Sequence, residues 1–332
     1  MKKIMILLAA ILMLAFAGCK DEPAKSKSEK LIIAVIPKGT THEFWKSIHA
    51  GAIKAAQEEG AEIIWKGPLR EDDRQSQIDA VEDMINRNVA GIVLAPLDNT
   101  ALRTPVVNAV RSNIPVVIID SALDCNDYTS FVATDNYAAG KKAGTHLGQL
   151  LKGNGKVVML RYAEGSTSTM ERERGFLDSM KEFQGIQVVS SNQYGGATTE
   201  TAYKASENML ASFKRPDGGI DIDGIFACNE STTFGMLRAL QDGGLAGKVR
   251  FVGFDSSEKL VAALAAKQID ALILQNPMHM GYLGVKTLIL HLKGQPVERL
   301  MDTGSSVVTL ENMETPEIRE ILTPDLDRWL ER

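Results

Sequence analysis

Leu31-Ile-Ile-Ala-Val-Ile36, closed by Pro37, is an apolar run without a break. That is the pattern of a strand covered on both faces, since a half-exposed strand alternates. A helical pattern follows: Phe44, Ile48, Ala52, Ala55 and Ala56 recur at three- and four-residue spacing and stop at Gly60. Thr40-x-x-Glu43 stands where a capping box would open that helix. Ala61-Glu-Ile-Ile-Trp65 predicts a second strand, and Asp73 to Asn86 a helix with Ile78, Val81 and Ile85 on one face. Gly91-Ile-Val-Leu-Ala95 predicts a third strand, ahead of Pro96 and an Asp/Asn/Thr turn. One more helix leads to Pro115-Val-Val-Ile-Ile-Asp120. Such β-α alternation implies a parallel sheet with helices packed on it.

The pattern then repeats. Lys156-Val-Val-Met-Leu160, Ile186-Gln-Val-Val-Ser190, Gly224-Ile-Phe-Ala-Cys228, Val249-Arg-Phe-Val-Gly-Phe254 and Ala271-Leu-Ile-Leu274 read as strands. Helical segments alternate with them: Met170–Phe183, Glu200–Phe213, Thr232–Gln241, Glu258–Ala266 and Met278–Leu292, the last closed by Gly294. Two doubly wound α/β units are implied. The length of 332 residues agrees, at ~150 residues per domain. An aromatic content of 6% leaves a mostly aliphatic core.

Ahead of this body lies an address. Met1-Lys2-Lys3 is a basic start, Ile4 to Phe16 is apolar, and Phe16-Ala17-Gly18-Cys19 ends the run. A membrane-spanning helix needs ~20 apolar residues, so this run fits a signal peptide, residues 1–18. Small residues before a cysteine resemble the bacterial lipobox, with Phe16 where Leu is usual, and make Cys19 the lipidation site. Residues 19–30 (through KDEPAKSKSEK) carry no apolar period and form a lipid-anchored tether. Removing Lys2 and Lys3 with the signal takes the net charge from −5 to −7. An acidic exported body disfavours a nucleic-acid partner.

Catalytic patterns are missing from the sequence. The five histidines form no HExxH or paired metal spacing, and the three cysteines no CxxC. Gly153-Asn-Gly-Lys156 lacks the spacing of a P-loop, and no GxSxG elbow occurs. Asp302-Thr303-Gly304 matches an aspartic-protease triplet, but in one copy on an α/β frame. No enzyme, cofactor or metal is expected.

In open α/β sheets ligands bind beyond the carboxyl ends of the strands. The polar residues there are Lys38, Asp120, Asn229, Asp255 and Gln275, with Arg172 near a helix start and His42, Phe44 and Trp45 near the first helix. Carboxylates accept hydroxyl protons, a guanidinium donates to oxygens, and aromatic faces cover the apolar face of a sugar ring. This set suits a neutral polyol. Each member also has a structural alternative. Asp120, Asn229 and Asp255 are turn and cap types. Arg172 could pair within Glu171-Arg-Glu-Arg174, and Phe44 could serve as core. Lys38 and His42 matter for the ligand's charge: pointing inward they would suit an acidic sugar, and on the rim a neutral one.

Phe44-Trp45, Pro115–Asp120, Ala133-Thr-Asp-Asn136 with Gly140, and Arg172-x-x-Gly175-Phe176 are short words that gain specificity from their order. Phe226-Ala-x-Asn229, Gly235, Val252-Gly-Phe-Asp255 and Gln275-x-Pro277-x-x-x-Gly281 continue the series. Over roughly residues 31–310 the chain resembles type I periplasmic sugar-binding proteins of the ribose-binding family. That resemblance implies Asp120, Arg172, Asn229, Asp255 and Gln275 as sugar ligands and Phe44 or Trp45 as stacking residues. It implies two lobes, 31–134 plus 276–304 and 135–275 plus 305–332. The chain would cross between them near Thr134-Asp135, Gln275-Asn276 and Thr303–Ser306. Beyond Asn312 a tail helix, Thr315 to Leu322, is expected. His42 stands where the family often has Asn, and Ser121 where an Arg often follows the aspartate, departures that bear on which sugar is bound. The implied function is a monomeric, lipid-anchored, periplasmic or cell-surface receptor that delivers a monosaccharide to an ABC permease. A chemoreceptor or histidine-kinase sensor of the same fold, an amino-acid receptor and a LacI-like repressor core are the alternatives. Cys125 and Cys228 fall in different lobes and are expected as free thiols.

Overall fold

The computed structural model describes residues 30–330; the export segment, Cys19 and the rest of the tether lie outside them. The chain opens with β1 (Ile32–Ile36), α1 (Glu43–Glu59), β2 (Glu62–Trp65), α2 (Arg74–Asn86) and β3 (Gly91–Leu94). It continues through α3 (Arg103–Arg111), β4 (Val116–Ile119) and β5 (Ser130–Ala133). Then come α4 (Asn136–Leu150), β6 (Asn154–Arg161), α5 (Thr167–Met180), β7 (Gly185–Tyr194) and α6 (Thr199–Ala211). β8 (Gly224–Ala227), α7 (Glu230–Asp242), β9 (Arg250–Phe254), α8 (Glu258–Ala265) and β10 (Ala271–Leu274) follow. The last elements are α9 (Pro277–Leu292), β11 (Leu300–Asp302), β12 (Ser306–Val308) and α10 (Pro316–Leu322).

Among the described residues two six-stranded sheets form, ordered β2-β1-β3-β4-β5-β11 and β7-β6-β8-β9-β10-β12. Each is the centre of one lobe. The first is parallel throughout; in the second, β12 runs antiparallel to β10. Both faces of each sheet are covered, which is why the inner strands β1, β3, β4, β8 and β10 are apolar at every position. In the first lobe Ile33, Val35 and Val93 pack toward α1 and α9, while Ala34, Ile36 and Ile92 pack toward α2 and α3. The chain passes between sheets after β5, after β10 and between β11 and β12. Hydrogen bonds tie these crossings: Thr134 Oγ1 donates to the Gly304 carbonyl at 3.2 Å, and the Asp135 N–H to Asp302 Oδ1 at 3.0 Å.

In each lobe a helix pair packs backbone to backbone, α1 on α9 and α4 on α5. A Cβ at Gly51 would overlap the Met278 carbonyl oxygen, and one at Gly281 the Ile48 carbonyl oxygen. In the second pair Gly140 meets the Arg172 carbonyl and Gly175 that of Tyr137. Gly140, Gly175 and Gly281 belong to the words that carry the family resemblance, and this contact is their physical content.

Several expectations need correction. Thr40 does not form a capping box: α1 starts at Glu43, with His42 as an N-cap whose side chain makes no capping bond. The first N–H groups of α1 find their acceptor elsewhere, as described below. β5 and α4 occupy a stretch the sequence pattern leaves unassigned. Gly140, Gly144 and Gly148 in α4 read as helix breakers, yet they are where α4 touches its neighbours. β7 continues to Tyr194 through Ser190-Ser-Asn-Gln, whose polarity fits its place at a sheet edge. α5 begins at Thr167 and α7 at Glu230, each ahead of the expected start. Cys125 and Cys228 are free thiols.

Gly51→Ala and Gly281→Ala are each expected to push α1 and α9 apart and to destabilise the protein by about 1–3 kcal/mol. Denaturant unfolding of the variants beside the native protein measures this.

Candidate functional site

The carboxyl ends of the two sheets face each other across one cavity. Lys38, His42, Phe44, Trp45 and Asp120 line it from the first lobe, and Arg172, Asn229, Asp255 and Gln275 from the second. All nine residues selected from the sequence are therefore brought together. Eight of the nine are buried, and His42 is half-buried.

The strand ends are held by buried polar side chains. Gln77, fully buried on α2, donates to the Pro37 and Ala95 carbonyls, both at 2.8 Å, and accepts from the Leu97 N–H at 2.9 Å. It thereby joins the ends of β1 and β3 and sets the place of Lys38. In the second lobe Thr233 Oγ1 accepts the Phe254 N–H at 2.9 Å, which fixes the end of β9 beneath Asp255. Asp120 and Asp255 follow β4 and β9, equivalent strands of the two sheets, with φ of 63° and 66°. Aspartate tolerates this left-handed conformation better than most side chains.

Lys38 Nζ pairs with Asp120 Oδ2 at 2.6 Å and donates to Ser121 and, across the cavity, Ser168, each at 3.0 Å. Arg172 is clamped: Nε donates to Asn136 Oδ1 at 2.8 Å, Nη1 to the Cys228 carbonyl at 3.0 Å, and Asp255 Oδ2 lies at 3.9 Å. Its guanidinium lies over the Phe254 ring, 3.9 Å from the centroid. Gln275 Nε2 donates to Asp255 Oδ1 at 2.8 Å. Phe44 and Trp45 meet edge to face, with centroids 4.9 Å apart. For Asn229 the structural alternative holds: its side chain accepts from the Thr232 N–H at 3.2 Å and completes a capping box on α7.

Six further residues line the cavity that the sequence reading missed: Glu71, Tyr162, Glu230, Ser166, Ser168 and Thr169. Glu71 comes from the β2–α2 loop and accepts from His42 Nδ1 at 2.7 Å, Trp45 Nε1 at 2.6 Å and Tyr162 Oη at 2.7 Å. It sits in the charged run Leu69–Arg74, which reads as a solvated face. Tyr162 obeys the strand-end rule once β6 is carried to Arg161. Glu230 directly follows Asn229. It caps α1 from the opposite lobe, accepting from the Glu43 and Phe44 N–H groups at 3.3 and 3.2 Å.

A family model described as a periplasmic binding protein domain matches residues 33–296. The chain belongs to the ribose-binding family of type I periplasmic binding proteins. It is 29% identical to the ribose import binding protein of Haemophilus influenzae, covering 93% of this chain and all of that protein. Among solved structures it resembles a carbohydrate-transporter solute-binding protein of Agrobacterium radiobacter in complex with D-arabinose. That likeness has a TM-score of 0.84 and 32% identity, over 89% of this chain and all of the other. An Agrobacterium vitis solute-binding protein with bound D-fucose gives a TM-score of 0.83 and 36% identity, over 88% of this chain and 99% of the other. Members of this family bind sugars for transport, and this protein is not an enzyme.

The family fold here encloses seven ionisable side chains besides Tyr162: Lys38, His42 and Arg172 against Glu71, Asp120, Glu230 and Asp255. Each cation is matched by a carboxylate of its own lobe. Burial works against charge on both His42 and Glu71. Their mutual attraction outweighs it, raising His42 to about 9 and holding Glu71 at about 2. Burial pushes Asp255 up against the pull of Arg172, and pushes Glu230 up to about 7 against that of His42. A raised histidine and a depressed carboxylate stabilise the folded state fully between pH 4.5 and 6.5. The contribution fades as pH rises through about 9 or falls through about 2.

The His42 imidazole is expected to titrate near 9 in the native protein. In Glu71→Gln, burial loses its strongest opponent and the value should drop toward or below its ordinary 6.5. NMR titration of the ring protons reads both.

Proposed function

We propose that the protein captures a neutral monosaccharide or related polyol between its lobes, outside the cytoplasm, and delivers it to an ABC importer. The carrying observation is the charge arrangement of the cavity. Lys38 and His42 both point inward, but each is already matched by Asp120 or Glu71. An acidic sugar would bring a negative charge to a wall without a free cation. An amino acid would meet the same difficulty at its carboxylate, because Arg172 is committed to Asn136, the Cys228 carbonyl and Asp255. A neutral polyol needs only hydrogen-bond exchange with these groups. The import role named for the Haemophilus relative and the D-arabinose and D-fucose complexes of the Agrobacterium proteins support this reading.

Admission requires motion. The groups that would meet a ligand are buried, so the lobes, 31–134 plus 276–304 and 135–275 plus 305–332, part about the three crossings and close again. Asp120, Arg172, Asp255 and Gln275 then bind ligand hydroxyls, with Asn229 contributing its amide group, and Phe44 and Trp45 cover a ring face. Residues 1–18 direct export, and Cys19 carries the lipid that holds a monomeric receptor at the membrane through the 19–30 tether.

Asp255→Ala and Arg172→Ala are each expected to weaken sugar binding by about 2–5 kcal/mol, tens-fold or more, without unfolding the protein. Calorimetry against a sugar and amino-acid panel tests this. Near-native affinity in both variants, or tight binding of a free amino acid, contradicts it. Cys19→Ser should leave the membrane fraction for the soluble one; unchanged partition removes the lipid anchor from the reading.

A further inference from the structure

The hydrogen bond from Tyr162 to Glu71 spans the cleft at one end of the cavity. Tyr162 follows β6 in the second lobe, and Glu71 lies between β2 and α2 in the first. The hydroxyl donates to Oε2 at 2.7 Å, while Oε1 receives Trp45 Nε1 at 2.6 Å and His42 Nδ1 at 2.7 Å. Both partners are held from behind. The loop that carries Glu71 lies so close to the β1–α1 connection that a Cβ on Gly39 would stand 2.8 Å from Glu71 Cγ. Tyr162 is buried, and its N–H donates to Glu173 Oε1 at 3.2 Å. Glu173 is fixed in turn by Arg161 Nε at 2.7 Å. Neither partner shifts without breaking other bonds, so the Tyr162–Glu71 distance sets how far the lobes close at this end.

We propose that this bond is a size gate, and that Tyr162 and Glu71 determine which sugars the site accepts. The inference rests on the sugar-receptor reading of the cavity. A ligand that stops short of the pair lets the lobes close until hydroxyl meets carboxylate. A ligand that extends a substituent into that end holds the lobes apart and leaves a buried carboxylate short of a donor. Selection then comes from a penalty on the wrong ligand, beyond any contact made to the right one.

The experiment measures affinities of the native protein, Tyr162→Phe and Glu71→Gln for D-ribose, D-arabinose and D-fucose. Each sugar is run beside its mono-O-methyl derivatives. The native protein should reject at least one derivative of a sugar it binds by about 10-fold or more, the worth of a hydrogen bond to a charged group. Tyr162→Phe keeps the wall and loses the latch, so it should narrow that ratio by most of the same factor. Glu71→Gln keeps an acceptor without the charge and should narrow it less. A ratio unchanged in both variants, or a native protein that rejects no derivative, overturns the gate while the receptor reading stands. A native protein that binds none of the sugars overturns the receptor reading, and the gate with it.

Discussion

Charge enclosed between two moving bodies has to be matched within each body, or every opening would pull ion pairs apart. The three ion pairs of the cavity obey this constraint, and Glu230, whose nearest opposite charge is His42 of the other lobe, is the exception. Lys38–Asp120 and His42–Glu71 lie within the first lobe, and Arg172–Asp255 within the second. Some bonds that cross the cleft join one charged group to a neutral one, Lys38 to Ser168, Tyr162 to Glu71, and the α1 N–H groups to Glu230, and others, such as the Ser168 N–H to Ser121 Oγ, join two neutral groups. Opening therefore exchanges hydrogen bonds for water, at about 1.5–3 kcal/mol for each bond to a charged group. Separating buried ions would carry a much larger desolvation term. No ion pair of the cavity spans the two lobes.

The two lobes solve the same local problems in the same way. Each places an aspartate in left-handed backbone after an equivalent strand, and each packs a helix pair through glycines. The differences lie in what fills the cavity. The first lobe contributes the long side chains Lys38 and Glu71, and the second contributes hydroxyls from Ser166, Ser168 and Tyr162.

The sequence made the architecture legible wherever burial on both sheet faces produced unbroken apolar runs, as in β1, β3, β4 and β10. It was silent where structure rests on close approach or on edge position: α4 is glycine-rich, and the end of β7 is polar. Five of the nine selected side chains were legible because strand ends are a general address, and Arg172, His42, Phe44 and Trp45 because they stand near helix starts. Glu71 escaped because its burial depends on a loop folding over another loop, which no local pattern encodes. The capping box at Thr40 failed for a related reason. The acceptor for the first α1 N–H groups is Glu230, far away in the chain and in the other lobe.

The three crossings have a consequence for how the chain comes into being. The first sheet gains its edge strand β11, and α1 its partner α9, only from residues beyond 276. The second sheet waits for β12. Neither core can be completed from an N-terminal fragment, and the contacts that complete them join distant parts of the sequence, a topology that folds slowly. For an exported family this is useful. A polypeptide whose two domains both need late segments cannot complete either core until synthesis is nearly over.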